Sequence, residues 1–250
     1  MAVSGTICNS RDNGSERERG YHEDMSGNSY LPRKLHSLLG VIPLGLFFIE
    51  HALTNFSAFE GGKEGFAESV NFLHGLPLVF FLEMFVIWLP ILFHGVYGLY
   101  VAYQSNINTG RFNYGRNWAF ALQRISGVIT FIFVAWHVWE TRLQVTFGNT
   151  TYDQLGEHMH QIFSNPVSIT LYVIGVIAAA FHFSNGLWAF LVSWGITIGP
   201  RAQRVSWRIC MGIFVIVTAL FLLSLVGFRS DEFASAAHAV LTAVQPGVFG

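Results

Sequence analysis

Apolar runs of twenty residues or more recur five times along this chain, separated by short polar connectors. They fall at roughly 35–54, 77–103, 118–141, 166–195 and 205–228. A helix needs about 20 mostly apolar residues to cross a bilayer, and each run meets that length. The pattern predicts an all-α, polytopic membrane protein with five transmembrane helices, in one domain over residues 33–228. Residues 1–32 begin MAVSGTICNSRDNGSERERG and are polar and rich in Gly and Ser. They lack the apolar core of a secretory signal and read as a flexible cytoplasmic tail. Residues 229–250 form a weakly apolar C-terminal extension to which the sequence assigns no role.

Composition agrees with a lipid solvent. The 250 residues are 52% hydrophobic and 12% charged, against about 25% charged in an ordinary soluble domain. The net charge of −1 and the lack of a basic stripe give no support to a nucleic-acid partner. Cys8 and Cys210 are the two cysteines. There is no Cys-x-x-Cys-His, so any heme is held noncovalently, and there are too few thiolates for an iron–sulfur cluster.

Lysine and arginine set the expected orientation, because they concentrate on cytoplasmic loops. Arg11, Arg17, Arg19, Arg33 and Lys34 precede the first run; Arg111, Arg116 and Arg124 lie between the second and third; Arg201, Arg204 and Arg208 lie between the fourth and fifth. Only Lys63, Arg142 and Arg229 fall on the other side. The amino terminus is expected in the cytoplasm and the carboxyl terminus outside.

Each of the first four runs carries a histidine deep inside it: His51, His94, His137 and His182. At 1.5 Å per residue, His51 and His137 lie roughly 24 and 28 Å from the cytoplasmic ends of their helices. His94 and His182 lie roughly 14 and 18 Å from theirs. The four therefore fall into an inner pair, His94 with His182, and an outer pair, His51 with His137. An unpaired polar group in hydrocarbon costs several kcal/mol, and intramembrane ionisable residues face the bundle interior. One such histidine is readily explained by a hydrogen bond to a neighbouring helix, but two depth-matched pairs are not. Facing imidazoles suit bis-histidine ligation of heme iron, one porphyrin per pair, inside a bundle of the first four helices.

Glycines close to these histidines, Gly95, Gly98, Gly127, Gly175 and Gly186, would let a flat macrocycle approach the backbone; small residues also pack membrane helices generally. Pro90 is expected to kink the second helix or loosen its hydrogen-bond ladder ahead of His94. The second nitrogen of each ligand histidine should donate to a carbonyl or hydroxyl, with Ser126, Thr130 and Ser184 as nearby candidates. His36 sits at the inner edge of the first helix, where it would touch a heme propionate or a docking partner. Arg124, Arg33 and Lys34 lie where propionates need cations, although the charge rule alone accounts for them. His22, His74, His158, His160 and His238 lie outside the runs and read as solvated. Trp118, Trp136, Trp139, Trp188 and Trp194 read mostly as an interfacial belt.

One rival architecture, the cytochrome b of quinol-oxidising complexes, carries two histidines about fourteen residues apart on each of two helices. Only the first run here has such a pair. The segments RKLHSLLGVIPLGLFFIEH, FHGVYGLYVA, RNWAFALQRISGVITFIFVAWHVWETR and FHFSNGLWAFLVSWGIT instead closely resemble the diheme cytochrome b subunit of succinate dehydrogenase of the type found in Bacillus. The likeness covers roughly residues 33–208 and is weaker in the fifth run; the two terminal segments depart from it. It implies four axial ligands for two b hemes, with His94 paired to His182 and His51 to His137. It also implies a flavoprotein and an iron–sulfur protein bound at the cytoplasmic face of a bacterial membrane, and menaquinone as the acceptor. Some relatives run in reverse as fumarate reductases.

On that footing the chain is expected to conduct electrons from the iron–sulfur partner to a quinone near the outer face. Quinone reduction takes up protons, which makes Glu83, Glu50 and Glu140 candidate acids at the outer level. Glu140 could instead simply cap its helix beside Arg142. Two competing readings are a structural anchor without heme and the diheme subunit of another oxidoreductase, such as a hydrogenase or formate dehydrogenase.

Overall fold

The computed structural model describes residues 30–105, 109–110 and 114–234. The expectations for Cys8, Arg11, Arg17, Arg19, His22, Arg111 and His238 lie outside the described residues, as does most of each terminal segment. Among the described residues there is no strand. Among the same residues five helices are long and apolar enough to span a membrane: α1 (Tyr30–Glu60), α3 (Val79–Tyr103), α4 (Gly115–Thr146), α6 (Pro166–Ser193) and α7 (Pro200–Phe228). Two shorter ones, α2 (Gly62–His74) and α5 (Leu155–Ser164), join them. The first span starts five residues earlier than its apolar run and ends six later. Its ends are polar, and hydropathy alone stops short of them.

Local chemistry sets the helix ends and breaks. Asn165 caps α6 by accepting from the Val167 and Ser168 amides at 2.9 and 3.4 Å, with Pro166 in the first turn, where no donor is needed. Gly199, at φ 85°, turns the chain into Pro200 and α7. Pro43 lies inside α1, where the helix is interrupted by a turn at Ile42. Pro90 lies inside α3 and cannot donate to the carbonyl four residues earlier. Just ahead of it, Glu83–Trp88 winds as a π-helix, so the ladder is altered as expected from the proline.

α6 packs on α4 and α7, α7 packs on α1, and α3 leans on α1 and α4. The fifth span thus closes the ring between α1 and α6. Between membrane helices the hydrophobic effect offers little, so close backbone approach and interhelical hydrogen bonds decide packing. Gly45 meets Phe183, Gly175 meets Phe133, and a Cβ on Gly227 would stand 2.6 Å from the Ala58 backbone. The buried face of α6 is small, with Gly175, Ala178, Ala179, Ala180 and Ser184.

Beyond the C-terminal end of α1, the helices α2 and α5 and the turn Asp231–Phe233 form a cap. Its core joins Phe66, Val70, Met159, Phe163, Phe228 and Phe233 to Tyr172 of α6. Lys63 and Glu157 pair across it at 2.6 Å. His160 donates to the Phe228 carbonyl at 2.9 Å, and His158 donates to the Glu140 carbonyl at 2.7 Å. The reading of these two histidines as solvated is therefore corrected: they tie the cap to α7 and α4, a role invisible without the tertiary contacts.

Candidate functional site

The four span histidines meet in two pairs. His94 on α3 faces His182 on α6 with ring centroids 6.1 Å apart, and His51 on α1 faces His137 on α4 at 5.9 Å. Both pairs are edge-on, at 79° and 70°. Gly127, which abuts His182, and His137 are ten residues apart on α4, so the two levels are separated by about 15 Å along the helix axis.

At the inner level each imidazole is held through Nδ1. His94 Nδ1 donates to the His36 carbonyl at 2.9 Å, and His182 Nδ1 donates to the Gln123 carbonyl at 3.0 Å. The His36 ring also stacks on His94, with centroids 4.1 Å apart and planes within 4°. A cavity opens here among His36, His94, His182, Gln123 and Arg124, walled by Gly40, Gly95, Gly98, Gly127 and Gly186. A Cβ on Gly127 would stand 2.8 Å from His182 Cε1, and one on Gly98 would stand 3.0 Å from His36 Nε2. Gly127 and Gly98 thus admit imidazoles, and Gly40 does the same for His94.

Arg124 lines that cavity and lies 3.1 Å above the Phe120 ring, with its Nε buried and unpartnered. Lys34 is committed elsewhere: its Nζ donates to the Ser193 carbonyl at 2.6 Å and sits over the Trp194 ring. Of the three cations expected near the inner level, Arg33, Lys34 and Arg124, it is Arg124 that lines the cavity.

At the outer level His137 Nδ1 lies 3.2 Å from the Tyr172 hydroxyl. His51 differs: among the described residues its side-chain hydrogen-bond neighbour is Asn55, whose Nδ2 stands 3.4 Å from both ring nitrogens and donates to the His51 carbonyl at 2.7 Å. The expected orienting hydroxyls are corrected. Ser184 and Thr130 have buried hydroxyls without partners, and Ser126 bonds the Gln123 carbonyl on its own helix. Two backbone carbonyls and a tyrosine hold the rings instead, because adjacent helices bring them closer than any serine on the histidine's own helix.

The three acids separate. Glu83 forms an ion pair with Arg142 at 2.9 Å. Glu50 accepts from Thr54 on its own helix at 2.5 Å. Glu140 lies within reach of Trp136 and Tyr172, and its Oε2 is buried without a partner. Arg142, the neighbour expected beside Glu140, instead crosses to Glu83 on α3. His74 joins the outer group by packing on Tyr152, with centroids 3.6 Å apart. Burial lowers its pKa below the ordinary imidazole value, Glu83 opposing and Arg142 reinforcing the shift. It too is corrected from a solvated histidine.

Gln123, Asn185, Tyr172, Asn55 and Gly40 escaped the sequence reading. A polar side chain inside an apolar run was available as a signal for Gln123 and Asn185, whereas Asn55 lies just past the end of its run. Tyr172 and Gly40 had none.

This arrangement defines a five-span helical membrane protein whose interior presents two facing imidazole pairs at different depths. Among the described residues no three His, Cys, Asp or Glu side chains converge as a metal-ion site. Each level offers two nitrogen donors, which suits a metal whose remaining ligands come from a macrocycle. Two metal–nitrogen bonds of about 2 Å plus the ring radii place imidazole centroids about 6 Å apart, so the observed separations fit such a group.

The family of succinate dehydrogenase/fumarate reductase transmembrane subunits matches residues 102–223. The chain is also 46% identical over 206 residues, 82% of its length and all of its relative's, to the succinate dehydrogenase cytochrome b558 subunit of Bacillus subtilis (strain 168). It belongs to this family, as a membrane-anchoring cytochrome b subunit of succinate dehydrogenase.

Proposed function

We propose that the chain binds two b hemes noncovalently, His94 and His182 holding the inner one and His51 and His137 the outer one. When bound, these groups supply one-electron redox chemistry between a cytoplasmic iron–sulfur partner and a quinone. The observation that carries this reading is the pair of facing imidazoles at each level, 6.1 and 5.9 Å apart. The Nδ1 contacts of His94, His182 and His137 support it further, because a ring held at Nδ1 keeps Nε2 available as the ligand.

The remaining residues have roles that follow from position. His36 orients His94 through its carbonyl and its stacked ring. Arg124 offers the inner site a cation for propionate. Glu83, poised against Arg142 beside the π-helical turn, and Glu140 and Glu50 near the outer pair, hold protons where a quinone, in this reading menaquinone, is reduced. The soluble partners are a flavoprotein, which oxidises succinate, and an iron–sulfur protein. The lysine and arginine distribution supports an amino terminus in the cytoplasm of a bacterium, with residues 1–32 as a tail and 229–250 as an extension outside. An optical and redox titration of wild type against His94→Ala and His51→Ala tests the assignment. Loss of different hemes in the two variants is expected; loss of the same heme in both overturns the pairing.

A further inference from the structure

We propose that Gln123 and Asn185 form an amide clamp that fixes the orientation of the His182 imidazole, and through it the properties of the inner heme. The inference rests on the reading of His182 as a ligand. Four interhelical hydrogen bonds build the clamp. His182 Nδ1 donates to the Gln123 carbonyl at 3.0 Å, and Gln123 Nε2 returns a bond to the His182 carbonyl at 2.9 Å. Asn185 Nδ2 then donates to Gln123 Oε1 at 2.8 Å and to the Ala119 carbonyl at 3.2 Å.

The pattern fixes a tautomer. Gln123 Nε2 also stands 3.2 Å from His182 Nδ1, and two N–H donors cannot bond each other. Asn185 holds Gln123 Oε1 as an acceptor, which settles which end of that amide faces the histidine. With the amide hydrogen directed to the His182 carbonyl and Nδ1–H to the Gln123 carbonyl, the lone pair resides on Nε2. The Gln123 oxygen that accepts from Nδ1–H is its backbone carbonyl, so the side-chain amides act by holding the ring against it; without them the ring turns away and that hydrogen bond loosens.

Two further features show that the site is shaped around these amides. A Cβ on Gly186 would come within 3.0 Å of Gln123 Nε2, so glycine leaves the side chain its place. Asn185 is 3% exposed and its Oδ1 is buried without a partner. An orphaned carbonyl in hydrocarbon is costly, and an apolar residue would avoid it. The two N–H bonds are what Asn185 contributes in return. Among the described residues His94 and His137 have no such amide, and His51 has a single one, Asn55 on its own helix, so the interhelical amide pair belongs to His182.

The test uses the full chain in its assembled complex, with potentiometric titration and low-spin ferric EPR of Asn185→Leu, Asn185→Ser, Gln123→Leu and the double Leu variant. The inner heme is expected to titrate at a higher potential with a displaced EPR signal, or to be lost, while the outer heme keeps wild-type values. The double variant should shift no further than Gln123→Leu alone, since both amides act through one contact. Asn185→Ser keeps a small polar side chain, and it carries the test if the leucine variant does not accumulate. A lower yield with the inner potential and signal at their wild-type positions assigns the amides to helix packing and overturns the clamp. Absence of heme from the wild-type chain would instead sink the ligand reading beneath it.

Discussion

Tyr172→Phe removes one atom from the outer site and little else. Tyr172 is 3% exposed, and its ring is enclosed by Phe133, Trp136 and Phe163 with centroids 5.3, 5.0 and 4.8 Å away. Phenylalanine preserves those contacts, so the change removes only the hydroxyl, which stands 3.2 Å from His137 Nδ1 and also reaches Glu140. Leaving a buried donor unpaired costs about 1–3 kcal/mol, and interhelical hydrogen bonds in membranes reach about 1.7 kcal/mol at most. A figure of about 1 kcal/mol satisfies both. A hydrogen bond at Nδ1 makes the imidazole more basic, which favours ferric over ferrous iron. A tenfold change is about 59 mV for one electron, so about 1 kcal/mol raises the outer midpoint potential by about 40 mV. The inner potential should stay, because its ligands lean on the His36 and Gln123 carbonyls. Potentiometric titration of the two α-bands reads both values in one experiment. An unchanged outer potential, or an equal shift of both hemes, would refute the reasoning.

Other expectations use different observations. Gly127→Ala would gain about 1 kcal/mol of helix propensity, yet its Cβ would stand 2.8 Å from His182 Cε1; steric exclusion should win, with a pyridine hemochrome assay showing loss of inner heme only. Glu83→Gln removes the partner of Arg142 and should slow quinone turnover with both hemes present; unchanged turnover removes Glu83 from the mechanism. Lys63→Ala breaks a pair whose side chains are 45% and 28% exposed, so the midpoint of thermal unfolding should reveal less than about 1 kcal/mol. The lowered pKa of His74 means the folded cap binds fewer protons there than the unfolded chain. Its contribution to stability is present above the ordinary imidazole pKa and is lost as pH falls from there through the lowered pKa of the folded state. Because the ring is only half-buried, a His74→Gln variant should flatten the acid limb of a stability–pH curve only slightly.

The amino-acid sequence alone determined the five spans, the spacing of four histidines and their division into two depths. These follow from one-dimensional quantities: the length of apolar runs, and 1.5 Å of rise per residue. Even the altered winding ahead of Pro90 was legible, because a missing donor acts on its own helix. Tertiary structure decided what depends on which helix faces which. The seventh helix closing the ring, the cap joining Phe66 to Phe233, and the ion pair joining Glu83 to Arg142 bring together residues far apart in the chain. The ring partners of His94, His182 and His137 are of the same kind. Two are backbone carbonyls, which every residue possesses and no pattern marks, and the third is a tyrosine on another helix. Rotation of one helix about its axis against its neighbour selects those contacts, and periodicity within a single helix carries no record of that angle.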